Sequence, residues 1–112
     1  MRRGEIRWAE VGGGFGRRPV LVVTASEILP VLRAVTCAPV TTSLRSIATR
    51  LPLGEAEGLR RPSEAVCDGL VTLDKGLIDT APIGWLAEDR SAELDRAIAR
   101  ALDIRRDHLL PA

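Results

Sequence analysis

Arg17-Arg18-Pro19-Val20-Leu21-Val22-Val23 is the stretch on which the reading of this chain turns. Val20–Val23 is short, fully apolar and mostly β-branched, the pattern of a strand buried in a core. Pro19 fixes φ and has no N–H to offer, which suits the first residue of a strand. Ahead of it runs Gly12-Gly13-Gly14-Phe15-Gly16. Glycine tolerates positive φ and close backbone approach, so this loop can lie against a ligand. Two guanidinium groups therefore stand where a loop becomes a rigid strand. A planar guanidinium suits bidentate contact with phosphate. The same two arginines can equally do no more than solvate a strand end.

Outward from this strand the chain reads as short β-elements. On the N-terminal side, Glu5–Val11 alternates, with Ile6 and Trp8 on one face and Glu5 and Arg7 on the other. That predicts a half-buried antiparallel strand, joined to the Val20–Val23 strand by a hairpin with a long, mobile tip. On the C-terminal side, Thr24–Leu29 reads as one helical turn capped by Ser26 and stopped by Pro30. Arg33–Val40 is the next strand, closed by Pro39. Thr41-Thr42-Ser43-Leu44-Arg45-Ser46 is a hydroxyl-rich turn. Ile47–Leu53 alternates again, with Ile47, Thr49 and Leu51 on one face, and residues 54–62 read as a surface loop. Ser63–Asp68 and Leu70–Leu73 are short strands with a bulge or bend at Gly69. Asp74–Ile78 reads as a turn of helix and Ala81–Ala87 as a last brief strand.

The final element is helical. Leu94, Ala97, Ile98, Ala101 and Leu102 make one apolar stripe, with Asp89 as its expected cap and acids gathered at its start. The tail from Arg105 is expected to fray. Five to seven short strands and one terminal helix predict a mainly β fold, a small, strongly bent β-barrel closed by the helix.

At 112 residues the chain suits one domain with a modest core. Its net charge of +1 conceals an asymmetry. Residues 1–50 hold eight Arg against three Glu, whereas residues 51–112 hold eight Lys or Arg against twelve Asp or Glu. A basic first half points to an anionic partner, with nucleic acid the first candidate, or to a dipolar surface with no partner. Cys37 and Cys67 sit in apolar, strand-like contexts and read as two buried thiols in a reducing cytosol. No zinc-ligand spacing, signal peptide or membrane-length apolar run is found.

The chemistry narrows by subtraction. The one histidine, His108, lies in the tail, which argues against Ser-His or Cys-His catalysis and a His-based metal site. The glycine loop lacks the Lys-Ser/Thr of a phosphate-binding P-loop. Glu5 and Glu10 face opposite sides of a strand. Asp68, Asp74 and Asp79 fall in unrelated contexts. Arg and hydroxyl groups remain. Arg17 and Arg18 precede one strand, and Thr41, Thr42 and Ser43 follow the next long one. If these strands are antiparallel neighbours, Arg18 and Thr41 converge. Such a pair can bind a phosphodiester and stabilise charge on a pentavalent phosphorus. RNA brings its own nucleophile, the 2′-hydroxyl, so the chemistry requires neither metal nor cofactor. The bland alternative for Thr41-Thr42-Ser43 is an ordinary hydrogen-bonded turn.

Four segments in order resemble the MazF/PemK family of toxins from toxin–antitoxin pairs. Arg3-Gly4-Glu5-Ile6-Arg7-Trp8 is similar to its opening strand, and Arg17–Val23 to its R-P-[AV]-[VL]-[VI]-[VL] strand. Cys37-Ala38-Pro39-Val40-Thr41-Thr42-Ser43 is similar to its P-[LIC]-T-[TS] segment, and Leu70–Lys75 to its late [VI]-R-[TA]-[VI]-D-K stretch. The resemblance implies an SH3-like barrel of the CcdB/MazF type, with residues 1–112 as a single toxin domain. It implies a cytoplasmic homodimer and a metal-independent endoribonuclease (an mRNA interferase). This enzyme would cut single-stranded RNA to 2′,3′-cyclic phosphate and 5′-hydroxyl ends, and a cognate antitoxin would block it.

Carried over residue by residue, the resemblance makes Arg18 and Thr41 the catalytic pair. Arg17, Thr42, Ser43, Arg45 and Arg50 are the expected RNA contacts, with Arg45 and Arg50 reading bases. Two positions depart from the family pattern: Gly69 stands where Gln is common, and Val71 where Arg is usual. These positions bear on the RNA groove and the dimer contact. Two other functions fit the same fold: a toxin that binds DNA gyrase, which would not need Arg18 and Thr41 together, and a non-catalytic RNA-binding module in which Arg18 only anchors phosphate.

Overall fold

The computed structural model describes residues 1–111, and in it the apolar runs form seven strands and one full helix. β1 (Glu5–Glu10) and β2 (Arg17–Val22) form an antiparallel hairpin in register from Ile6↔Leu21 to Glu10↔Arg17. β2 pairs with β3 (Ala34–Thr41), from Val22↔Cys37 to Val20↔Pro39. β3 serves two partners along its other edge. Ala34–Cys37 pairs with β6 (Val71–Asp74), and Val40–Thr41 with β5 (Ser63–Val66). β4 (Arg50–Leu53) extends β5, and β7 (Gly84–Trp85) extends β1. Splitting β3 between two partners curls the antiparallel sheet into a half-barrel. The mainly β, helix-capped architecture expected from the sequence is the one observed.

Each face of the curled sheet buries its own cluster. Ile6, Leu21, Ala38 and Val40 face inward toward Leu51, Leu53 and Ala65. Ala9, Val20, Val22, Val35 and Cys37 face the other way, toward Leu29, Leu73 and Ile78. β2 is thus covered on both sides, which is why its sequence is continuously apolar rather than alternating. α1 (Ser91–Leu102) lays Leu94 and Ala97 over the inner cluster and closes its open side, as the stripe predicted. Leu102, at the stripe's end, is exposed, and the tail adds one helical turn, α2 (Arg106–Leu109).

Several local expectations are corrected. Asp89 does not cap α1. Arg90 occupies that position, and its guanidinium donates to Glu93 (2.8 Å) and to the Pro52 carbonyl (2.9 Å), tying the helix start to β4. Ser26 caps no helix; its hydroxyl accepts the Arg3 N–H, and Pro30 lies inside a short 3-10 turn over Leu29–Val31 rather than stopping one. Pro39 does not close its strand. It sits where β6 has ended and β5 has not begun, so β3 continues to Thr41. Ile47 and Thr49 fall outside β4, and Ile47 is exposed. Of the bulge or bend expected at Gly69 the structure has the bend, a 3-10 turn over Cys67–Gly69 between β5 and β6.

The 54–62 segment is not merely a surface loop: Glu57 and Leu59 are buried there. Gly58 (φ +86°) and Gly84 pass so closely that a Cβ on either would collide with the other segment's backbone, which brings this loop against β7. On β1, Arg7 is only 7% exposed whereas Trp8 is 42% exposed, the reverse of the simple alternation. Arg7 pairs with Glu5 and donates to the carbonyls of Asp79 (2.8 Å) and Thr80 (2.6 Å), so it staples the 79–80 segment over the strand. Trp8 keeps the face of Ile6 but lies where the half-barrel opens. No helix among the described residues is long and apolar enough to cross a membrane.

Candidate active site

The register that builds the sheet also builds the site. Val20 opposite Pro39 places Arg18, two residues earlier on β2, opposite Thr41, two residues later on antiparallel β3. Both line one open cavity of about 270 Å³, together with Phe15, Ser43, Arg45 and Arg50. The strands make this end of the site rigid, and the glycine loop makes it reachable. Gly12, Gly13, Gly14 and Gly16 all have positive φ, a run that side-chain-bearing residues would resist. The folded-back loop carries the Phe15 carbonyl to 3.1 Å from Arg18 Nε and the Phe15 ring to 5.2 Å from the guanidinium carbon. Arg18 is therefore aimed by one hydrogen bond from Nε, while no carboxylate pairs with it among the described residues.

Thr41 is half-buried at the end of β3. Its Oγ1 accepts the Ser43 N–H at 3.0 Å. The hydroxyl proton is left to donate, so the group can hold a phosphate oxygen. The turn beyond Thr41 is fixed by Glu64, a carboxylate on β5 only 3% exposed. Glu64 accepts the Arg45 N–H (2.8 Å) and the Ser46 N–H (2.9 Å) and lies 3.6 Å from Arg50. It holds Ser46 at a positive φ of 52°. Sequence reasoning passed over Glu64. Its signal was an acid between Ser63 and the apolar pair Ala65-Val66 of a short strand, beside a strand that opens with an arginine.

The expected RNA contacts divide. Ser43, Arg45 and Arg50 reach the Arg18–Thr41 cavity, and Arg45 is exposed and makes no ion pair among the described residues. Arg50 is 11% exposed and already committed to Asp68 (3.3 Å) and Glu64, which fits a structural clamp better than base reading. Arg17 points away to Asp79 at 2.6 Å, a hydrogen bond that raises its already high pKa, and it stacks near Trp8. Thr42 opens into a separate cavity. Phe15, the chain's one phenylalanine, was not singled out from sequence, although its isolation among glycines marks it.

Neither cysteine belongs to the site. Both are free and buried, and burial pushes the Cys37 thiol up to about 12 and Cys67 to about 11, so neither is a nucleophile at neutral pH. Among the described residues, no three His, Cys, Asp or Glu side chains gather to hold a metal ion.

Comparison with known proteins identifies the family. A family model described as the PemK-like, MazF-like toxin of type II toxin–antitoxin systems matches residues 2–102. Endoribonuclease MazF3 of Mycobacterium tuberculosis is 38% identical over 90 residues, covering 78% of this chain and 84% of the relative. The solved structure of Mycobacterium tuberculosis toxin MazF-mt6 is 34% identical with a TM-score of 0.83, covering 90% of this chain and 98% of that one. A mycobacterial endoribonuclease solved with its cognate antitoxin shares the fold at 23% identity, with a TM-score of 0.81 and coverage of 94% and 97%. By the span of the family match and by these likenesses in sequence and fold, the chain belongs to the PemK/MazF family of type II toxin–antitoxin toxins.

Proposed function

We propose that this toxin is an endoribonuclease that cleaves single-stranded RNA by attack of the 2′-oxygen on the adjacent phosphorus. The observation that carries the reading is the juxtaposition of Arg18 and Thr41 across β2 and β3, at one cavity open to solvent. The endoribonuclease name of its mycobacterial relative supports it.

In this reading the phosphodiester lies between the Arg18 guanidinium and the Thr41 hydroxyl. Arg18 donates to the non-bridging oxygens as negative charge builds on the pentavalent phosphorus, and it supports the departing 5′-oxygen. Thr41 holds a phosphate oxygen or orients the 2′-hydroxyl. Arg45 reaches toward an adjoining base or phosphate. The 2′-oxygen loses a proton and the 5′-oxygen gains one, so no water is consumed. The products are a 2′,3′-cyclic phosphate and a 5′-hydroxyl. The donors are fixed before substrate arrives, by the sheet, the Phe15 carbonyl and the Ser43 N–H, which is the arrangement that electrostatic catalysis rewards. As the family resemblance implies, the toxin works as a homodimer, and a cognate antitoxin blocks the cleft.

The test is growth arrest on induction in a bacterial host, with wild type beside Arg18→Ala and Thr41→Ala. Both variants are expected to fold and to be harmless. Retained toxicity in both would sink the assignment.

A further inference from the structure

A second cavity, of about 630 Å³, opens at the mouth of the half-barrel. Trp8 pairs with Pro19, and these two residues with Val40 carry the inward face of the sheet out to solvent. Leu59 and Ile83 complete an apolar wall, and Arg60 and Arg61 stand on its rim. The volume lies within the roughly 300–1,000 Å³ of pockets that enclose small ligands. Thr41 lines this cavity as well as the one holding Arg18, so the two meet at one residue of the proposed catalytic pair.

We infer that the barrel mouth is a nucleoside subsite, taking the base of one nucleotide that flanks the cut. This rests on the endoribonuclease reading. Three observations favour a nucleoside. The chain has only three aromatic residues, and two of them, Phe15 and Trp8, stand one on each side of Thr41. Aromatic faces are the platforms on which unpaired bases stack. Trp8 is large and 42% exposed, and it is held rather than loose: the Arg17 guanidinium lies 5.7 Å from its ring, and Asp79 fixes Arg17 in turn. Finally, among the described residues no carboxylate lines the cavity, and Arg60 and Arg61 are exposed and take part in no ion pair. An apolar slot with an aromatic wall and a cationic rim suits a base with its phosphate outside. On this arrangement Phe15 and Arg45 face the nucleotide on one side of the cut, and Trp8, Arg60 and Arg61 face the one on the other.

The experiment uses full-length protein and a short RNA of the cut sequence. This RNA is made uncleavable by a 2′-deoxy sugar at the attacking nucleotide and carries an abasic residue at either flanking position in turn. Affinity is read by fluorescence anisotropy. In wild type, loss of the base at one of these positions is expected to weaken binding about 5- to 150-fold, the range of one base–aromatic stack. In Trp8→Leu that penalty is expected to vanish, because the platform is already gone. The double variant Arg60→Ala/Arg61→Ala alters only exposed side chains and serves if Trp8→Leu does not fold. It is expected to reduce the slope of log affinity on log salt by about 1, as loss of one or two phosphate contacts to a single strand requires. An abasic penalty unchanged in Trp8→Leu, or a salt slope unchanged in the double variant, overturns the subsite and leaves the mouth to a protein segment. If wild type still cuts RNA, the endoribonuclease reading survives that outcome. If wild type cuts no RNA, the reading itself has failed, and the subsite with it.

Discussion

Replacing Glu64 with alanine tests whether a buried carboxylate, rather than the turn's own sequence, holds the catalytic cleft in shape. Glu64 accepts two backbone N–H bonds, at 2.8 and 2.9 Å, from Arg45 and Ser46, and faces Arg50 at 3.6 Å. Removing one partner of a buried ion pair costs about 3–5 kcal/mol. Arg50 keeps Asp68 at 3.3 Å, and the freed N–H groups lie on exposed residues that water can reach. The loss should therefore fall near the lower end, about 3 kcal/mol, which for a domain of this size lowers Tm by roughly 10–15 °C. Ser46 also loses its reason to hold positive φ, so the turn carrying Ser43 and Arg45 relaxes and RNA cleavage falls with it. The assays are a thermal melt followed by circular dichroism and a cleavage time course at a temperature where the variant is folded. A melt within about 2 °C of wild type, well under the shift that 1 kcal/mol produces, would refute the reasoning.

Two further predictions concern the core and its thiols. Leu94→Ala removes the helix residue sunk deepest in the inner cluster, at 1% exposure, and should destabilise by about 2–5 kcal/mol in urea unfolding. The thiols predict a pH dependence. Burial raises both above the usual 9.0, Cys67 to about 11 and Cys37 to about 12, so in this range the unfolded chain binds fewer protons than the folded one. Stability is then full below about pH 9 and is lost as pH rises toward 11 and 12, by at most about 1.4 kcal/mol per pH unit for each thiol. With no tyrosine and a single lysine in the chain, few other groups blur this range. Urea unfolding between pH 8.5 and 10.5 should show the decline, and Cys37→Ala should lessen it; an equal slope in that variant removes Cys37 from the account.

Where local pattern and tertiary partner agreed, the fold was legible from residues alone. The β2 run and the α1 stripe each announced their own burial, and the convergence of Arg18 and Thr41 followed from two strands being neighbours. What escaped depended on a distant partner. Arg7 reads as an outward residue until the 79–80 carbonyls close over it. Pro39 reads as a strand end until β3 is seen to change partners beside it. Asp89 reads as a cap, but Arg90 finds a better tether in Pro52, Glu57 and Glu93. The candidate site divides in the same way. Arg18, Thr41, Ser43 and Arg45 meet because their elements are adjacent, whereas Arg17 and Arg50 are drawn off by Asp79, Asp68 and Glu64, acids far along the chain.

The most direct test of the central claim is cleavage itself. Purified wild type, Arg18→Ala and Thr41→Ala are each incubated with mixed single-stranded RNA in excess EDTA, and the new ends are mapped by sequencing. Wild type is expected to cut at one short shared sequence, leaving 5′-hydroxyl and 2′,3′-cyclic phosphate ends, and both variants to leave the RNA whole while melting like wild type. RNA left intact by wild type at high protein concentration, or cut equally well by both variants, would contradict the account.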